Sequence, residues 1–268
     1  MSVNKTNMYD VDEYIAEVYD QVETQTDDVA LIRSLIRGRG RLKILEPFCG
    51  TGRILIPLAL DGHELVGLDQ SSAMLDRARR KIGSLAEDVR KGITLMEADV
   101  TTSPWPQDFD LVILGGNCFY ELAVPEEQEG CIVSTVAALR SGGYVYLDNN
   151  HMEGDLAEDW RQSGVNTNRF PTGACADGTR VQGTTETIWW DGSRRLVRFR
   201  RTVTVTFPDG TTTSKAWIQQ KHPPSTDEMR TWLEEHGFIV EEMYGDRGAS
   251  PYVPTSPRVI FWARRKGA

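Results

Sequence analysis

The chain is expected to fold as an α/β protein, a Rossmann-like seven-stranded sheet carrying an antiparallel β insertion before its last helix. Three observations predict this. The run Lys43-Ile44-Leu45-Glu46 delivers Gly50-Thr51-Gly52 at its end, as a buried strand does at the strand-to-helix turn of a doubly wound sheet. Short strand-like and helix-like segments then alternate as far as residue 148, which implies parallel strands with right-handed crossovers. Beyond residue 150 the pattern becomes β-rich, with Asp191-Gly192 and Pro208-Asp209-Gly210 as turns of an antiparallel meander.

Residues 1–40 read as an amino-terminal helical lid. Helices over 11–22 and 27–37 carry Ile15, Val18, Val22 and then Val29, Ile32, Leu35, Ile36 at helical spacing, so each has an apolar face to bury. The core, 41–150, follows as strand 43–46, helix 53–60, strand 64–69, helix 72–85, strands 93–98 and 109–115, helix 126–140 and strand 143–148. Ser71 or Ser72 can cap the second of these helices, whose Met74, Leu75 and Ala78 face the sheet. Residues 151–222 form the insertion, with strands at 184–190, 196–207 and 213–220 joined as two hairpins. In the last unit, 223–268, Ser225-Thr-Asp-Glu228 is a capping box that opens a helix to His236, and strands 238–243 and 258–264 complete the sheet.

The 268 residues, 40% of them hydrophobic, suffice for one large core with an inserted subdomain. A formal charge of −9, with acids and bases interspersed, disfavours nucleic acid and anionic membrane as partners. The basic run Arg194, Arg195, Arg198, Arg200, Arg201 is then mostly a solvated strand face. The four cysteines and four histidines show no metal-ligand spacing, so no metal is expected. Met1 to Asp10 lacks an apolar leader and no run of about eighteen apolar residues occurs, so a soluble cytoplasmic protein with reduced thiols is expected. A homo-oligomer stays open.

The chemistry of the first turn separates cofactors. A carboxylate at the strand tip, Glu46, would repel a pyrophosphate seated on the following helix. Leu55 and Ile56 also occupy the region where the third glycine of a dinucleotide fingerprint would fall. A cofactor without phosphate, bearing an ammonium and a sulfonium, suits the turn, and that is S-adenosylmethionine. Asp69 is placed to accept from both ribose hydroxyls, and Asp99 ends the next strand, so three acids on three strand tips converge on one crevice. Gln70 and Val100, each beside one of those acids, are assigned to the same cofactor site.

Asn117 and Tyr120 follow the fourth strand, where the transferring methyl should sit. An amide carbonyl or a phenol there can orient an amine lone pair, or else Asn117 caps a turn and Tyr120 packs beneath a helix. His151, just past the fifth strand, is either a general base or a loop histidine bonded to backbone. Period-two alternation places Val197, Phe199, Arg201, Val203 and Val205 on one face. The guanidinium in that apolar row needs an anion: a substrate group, or Glu186, unless it snorkels at the sheet edge.

These residues carry a resemblance. The chain is similar to class I S-adenosylmethionine-dependent methyltransferases, and among them it resembles glycine N-methyltransferase and the glycine/sarcosine methyltransferases. Phe109-Asp-Leu-Val-Ile-Leu-Gly-Gly-Asn-Cys-Phe-Tyr-Glu-Leu122 is similar to that family's Phe-Asp-x-Val-Ile-x-Leu-Gly-Asn-Ser-Phe-x-His-Leu. Gly142-Gly-Tyr-Val-Tyr-Leu-Asp148, the insertion from Arg194 and Gly245-Asp246 follow in the same order, so the likeness covers roughly residues 40 to 265. It implies a seven-stranded methyltransferase sheet whose β insertion is a substrate lid. It also implies cofactor contacts at Gly50, Gly52, Asp69 and Asp99, and a methyl-transfer site lined by Gly116 and Asn117. Tyr19 looks like a tyrosine folded over the donor from an amino-terminal lid, or else it packs within its own helix. The family's Asp-His-Arg-Asn, whose arginine grips the glycine carboxylate, reads Asp148-Asn149-Asn150-His151 here, leaving uncharged Asn150 at that substrate position. Arg169 or Phe170, Arg201 and Gln220 stand where the family has substrate-site tyrosines.

The expected function is methyl transfer from S-adenosylmethionine to a small molecule, by N-methylation of an amino acid or related amine other than glycine. Two alternatives stay open: O-methylation of a small hydroxyl or carboxylate compound, and a non-catalytic S-adenosylmethionine-binding protein.

Overall fold

A computed structural model describes residues 12–162 and 164–267, so the polar segment Met1 to Asp10 lies outside the described residues. Its strands in chain order are β1 (Lys43–Pro47), β2 (Glu64–Asp69), β3 (Ile93–Glu97), β4 (Phe109–Leu114), β5 (Leu139–Asn150), β6 (Val165–Ala174), β7 (Arg180–Asp191), β8 (Leu196–Thr206), β9 (Thr212–Lys221), β10 (Phe238–Tyr244) and β11 (Arg258–Arg265). The helices are α1 (Asp12–Val22), α2 (Asp27–Leu35), α3 (Leu55–Leu60), α4 (Ser72–Gly83), α5 (Glu87–Lys91), α6 (Pro125–Ala138), α7 (Glu158–Arg161) and α8 (Thr226–Glu235).

The main sheet has seven strands in the order β10-β11-β5-β4-β1-β2-β3. Strands β1 to β5 run parallel, and β11 returns antiparallel between β5 and β10. The central strands are apolar on both faces because helices cover both. On one side Leu45, Val112, Leu147 and Phe261 pack with Ile132 of α6 and with Met229 and Leu233 of α8. On the other, Ile44, Leu65, Leu111 and Ile260 pack with Ile32 of α2, Leu58 of α3 and Leu75 of α4. Ser71 is the cap of α4, accepting from Met74 N–H at 3.4 Å, and the Ser225–Glu228 capping box opens α8.

Four elements escape the sequence pattern: α5, a 3-10 turn at Cys118–Glu121, α7 and β6. Strand β6 contains Pro171 and Gly173, both strand breakers, yet it lies at the edge of the second sheet, where a missing N–H is tolerated. The meander therefore has four strands, in the order β6-β7-β8-β9. Helix α6 also ends before residue 140, because Leu139 already pairs with Phe109 in the sheet.

The two amino-terminal helices bury their apolar faces against different partners. Helix α2 covers the core, whereas Ile15 and Val18 of α1 pack with Val181, Val203, Val205 and Trp217 of the second sheet. Asp20 ties α1 to the core: its carboxylate accepts from Thr51 at 2.5 Å, Arg77 at 2.5 Å and Lys81 at 2.9 Å. Helix α1 is thus wedged between the turn after β1 and the four-stranded insertion. No helix among the described residues is long and apolar enough to cross a membrane.

Candidate active site

The turn after β1 is pinned to the tip of β2. Cys49 N–H donates to Leu68 O at 2.9 Å, while the Asp69 carboxylate accepts from Gly50 N–H and Ser71 N–H, each at 2.8 Å. Phe48, Gly50 and Gly52 have φ of 65°, 53° and 80°. At Gly52 a side chain would meet Ile56 at 3.1 Å, so glycine serves both the backbone angle and the packing. Phe48 has no such licence. An L-residue in that region costs about 1–3 kcal/mol, and its ring packs against the main core cluster.

The turn, the tips of β2 and β4, the loop after β3, helix α1 and strand β9 line a cleft open to solvent. Tyr19, Glu46, Gly50, Asp69, Gln70, Asp99, Val100 and Gly116 all line it. Gly52 is not in the lining; it shapes the turn from behind. Tyr19 stands edge-on to Phe170 of β6 at 5.8 Å, and burial pushes its phenol up to about 12, so it meets the cleft uncharged. Asp99 accepts from Thr101 N–H at 2.9 Å and from the Thr101 hydroxyl at 2.7 Å, which holds its carboxylate at the rim.

Glu46 is the most informative of these side chains. It is 5% exposed, and its Oε2 is buried without a hydrogen-bond partner. Burial, reinforced by Asp28 and Asp69 against the pull of Arg53, raises its carboxyl well above the usual range. Burial disfavours the charged form of this carboxyl, and an ammonium or sulfonium bound beside it would favour that form at the expense of its proton. This site fits S-adenosylmethionine and disfavours a pyrophosphate. The raised value means that proton binding stabilises the fold at low pH, and this contribution is lost as pH rises through the folded value. Binding of the cationic donor should therefore release protons, and its affinity should rise with pH across that window by at most about tenfold per unit. Calorimetry in two buffers of different ionisation enthalpy measures the release. Glu46→Gln should abolish it, and no release from the parent protein would show Glu46 already ionised.

The residues expected at the acceptor are placed differently. Asn117, in a left-handed conformation with φ of 64°, is absent from the cleft lining. Its carbonyl accepts from Asn150 N–H at 2.7 Å and from Arg258 at 2.9 Å. Tyr120 donates to Asn150 O at 3.0 Å, and burial pushes its phenol up to about 12. His151 joins Ser256 O at 2.9 Å through Nδ1 and the Tyr252 hydroxyl at 3.0 Å through Nε2. Asn150 is exposed, and its side-chain carbonyl accepts from Arg258. None of these four side chains is in the cleft lining: they tie the end of β5 to the turn after β4, to Arg258 of β11 and to the loop before it, so the catalytic expectation for Asn117, Tyr120 and His151 and the substrate expectation for Asn150 rest on the sequence pattern alone. Gln220 does line the cleft, with its amide fixed between Arg198 at 2.8 Å and Ala123 O at 3.0 Å. Arg201 lines a separate cavity, and Glu186 pairs with Arg200 at 2.5 Å, so the expected Arg201–Glu186 alternative does not form. The Arg169 side chain lies outside the described residues.

Glu121, Glu127 and Gln219 line the cleft although the sequence did not single them out. Glu121 accepts from Gln219 at 2.9 Å and from Lys221 at 3.3 Å, and burial lowers the Lys221 ammonium below its usual range. One signal was available: Glu121 replaces the histidine of the Phe-x-His-Leu pattern in the segment after β4.

Residues 44–143 match a family model described as a methyltransferase domain. A glycine/sarcosine N-methyltransferase of Halorhodospira halochloris is 26% identical over 256 residues, covering 90% of this chain and 86% of that protein. Among solved structures, the CcbJ methyltransferase from Streptomyces caelestis superposes with a TM-score of 0.74 at 18% identity, covering 98% of this chain and 100% of that one. A sugar N-methyltransferase from Streptoalloteichus sp. superposes at 0.69 with 17% identity, covering 100% and 99%. With a seven-stranded sheet of this order and a cleft built on the turn after β1, the chain carries a methyltransferase domain over residues 44–143 on the fold of solved S-adenosylmethionine-dependent methyltransferases.

Proposed function

We propose that the enzyme methylates the nitrogen of a small amine. The observation that carries this reading is the charge of the cleft. Among the described residues, Asp69, Asp99, Glu121 and Glu127 line it, with the carboxyl of Glu46 raised by burial, against Arg53, whose guanidinium is already paired with Asp28 at 2.6 Å. An ammonium enters such a field at a gain and a carboxylate at a cost. When bound, the donor supplies a sulfonium methyl group as electrophile. In this reading Asp69 takes the ribose hydroxyls, Gly50 and Gly116 allow close backbone approach, and Glu46 and Asp99 face the donor's polar ends. Tyr19 closes over the donor from α1. Glu121 orients the amine while Gln219 and Lys221 hold that carboxylate still, so the chain contributes chiefly placement. Methylating a hydroxyl would call for a base, yet the His151 ring is taken up by Ser256 and Tyr252. The names of the glycine/sarcosine and sugar N-methyltransferases are consistent with a nitrogen acceptor.

The test is transfer from donor carrying a ¹³C-methyl group to a panel of amines, hydroxy acids and carboxylates, with the product read by carbon–proton correlation. An N-methyl resonance is the expected result; an O-methyl resonance as the main product overturns the reading.

Glycine itself should be a poor acceptor. The guanidinium beside Asn150 belongs to Arg258, and Asp148 already engages it at 2.6 Å, so among the described residues no arginine is offered to a small carboxylate at that point. Losing one charge-assisted contact of about 1.5–3 kcal/mol predicts kcat/KM for glycine at least about tenfold below that for bulkier amines. Steady-state kinetics decide this, and glycine as the best substrate would refute it.

A further inference from the structure

The inner face of the insertion changes character along its middle. On β8, Val197 and Phe199 pack with Leu156 and Trp160, while Val203 and Val205 pack with Ile15 and Val18 of α1. Arg201 falls between these two apolar clusters, with Thr185 and Trp217 as its cross-strand neighbours. The next rungs set Thr187 and Gln219 beside Phe199, and Lys221 beside Val197. Paired residues share a face, so Thr185, Thr187, Arg201, Gln219 and Lys221 form a polar stripe on a surface that otherwise packs.

That stripe borders a second cavity, open to solvent, where Trp160 and Phe199 supply apolar walls and Thr185, Thr187, Arg201 and Lys221 supply donors. Arg201 directs Nη1 to the Thr185 hydroxyl at 2.7 Å and Nε to Gln219 at 3.1 Å. Gln219 in turn donates to Glu121 at 2.9 Å, and Lys221 reaches the same carboxylate at 3.3 Å. Gln219 and Glu121 line the donor cleft, whereas Arg201 and Lys221 line the second cavity. One hydrogen-bonded layer of side chains therefore separates the two. Among the described residues, Asp159 is the acid that borders the second cavity beside Arg201 and Lys221.

We propose that this second cavity is an anion-binding site of its own, where Arg201 binds a carboxylate or a phosphate group. Burying a polar stripe costs solvation, and acceptor oxygens placed on the guanidinium offset that cost.

The experiment titrates inorganic phosphate, glutarate and acetate into protein saturated with S-adenosylhomocysteine, with heat of binding as the readout at low and high salt. The parent protein should bind phosphate or glutarate, more weakly at high salt. Arg201→Met should weaken binding tenfold or more while the melting shift caused by S-adenosylhomocysteine stays unchanged. Arg201→Lys, which keeps the charge without the paired N–H geometry, should fall between and decides the matter if the methionine variant fails to fold. No binding of any anion by the parent protein, or equal binding by the lysine and parent proteins, overturns the proposal. An O-methylated product would remove the amine reading and leave the anion site standing. Absence of anion binding alongside an N-methylated product would do the reverse.

Discussion

Asp148→Ala is expected to lower the unfolding free energy by about 3–5 kcal/mol. Asp148 is fully buried at the end of β5, and both its oxygens are engaged, by Arg247 at 2.9 Å and by Arg258 at 2.7 Å. Arg247 also lies 3.5 Å from Asp28, which is fully buried and paired with Arg53 of the turn after β1. Removing the central acid leaves two arginines, whose side chains are only 12% and 16% exposed, facing each other without their shared partner. Asp148→Asn should cost less, because it keeps an acceptor oxygen and the volume. Denaturant unfolding of both variants measures the difference, and a loss below about 1 kcal/mol for alanine would show that the arginines simply rehydrate.

The second large effect concerns the donor. S-adenosylhomocysteine at about a hundred times its Kd should stabilise the parent protein by roughly 2.7 kcal/mol, and Asp69→Ala should erase that increment. NAD should stabilise neither. Asp69 also holds the N–H groups of Gly50 and Ser71, so the variant's unliganded protein will itself be weaker. The ligand-induced increment, not the absolute melting temperature, is therefore the quantity to compare. An unchanged increment in the alanine variant would remove Asp69 from the ribose site, and stabilisation by NAD alone would contradict the donor assignment.

The reach of the sequence differs between elements for physical reasons. The strand-to-helix turn, the three acids at strand tips, the Ser71 cap and the Ser225–Glu228 capping box are local: turn geometry and capping depend on residues close in the chain. Edge strand β6 was hidden because Pro171 and Gly173 argue against a strand, and only its position at a sheet edge makes them acceptable. The alternation on β8 was legible, and Arg201 does lie in the row with Val197, Phe199, Val203 and Val205; its companions Thr185 and Gln219 were not.

Sequence by itself determined the Rossmann-like α/β class, the donor and the cluster of acids at the strand tips, because period, turn chemistry and charge at strand tips are short-range properties. Tertiary structure alone decided which polar groups are spent on one another. The Asn117 carbonyl is engaged by Arg258, 141 residues away, and Glu121 is fixed at the cleft by Gln219, 98 residues away. A side chain's chemistry is set by the partner that desolvates with it, and that partner is brought close by packing of the whole chain, not by spacing along it.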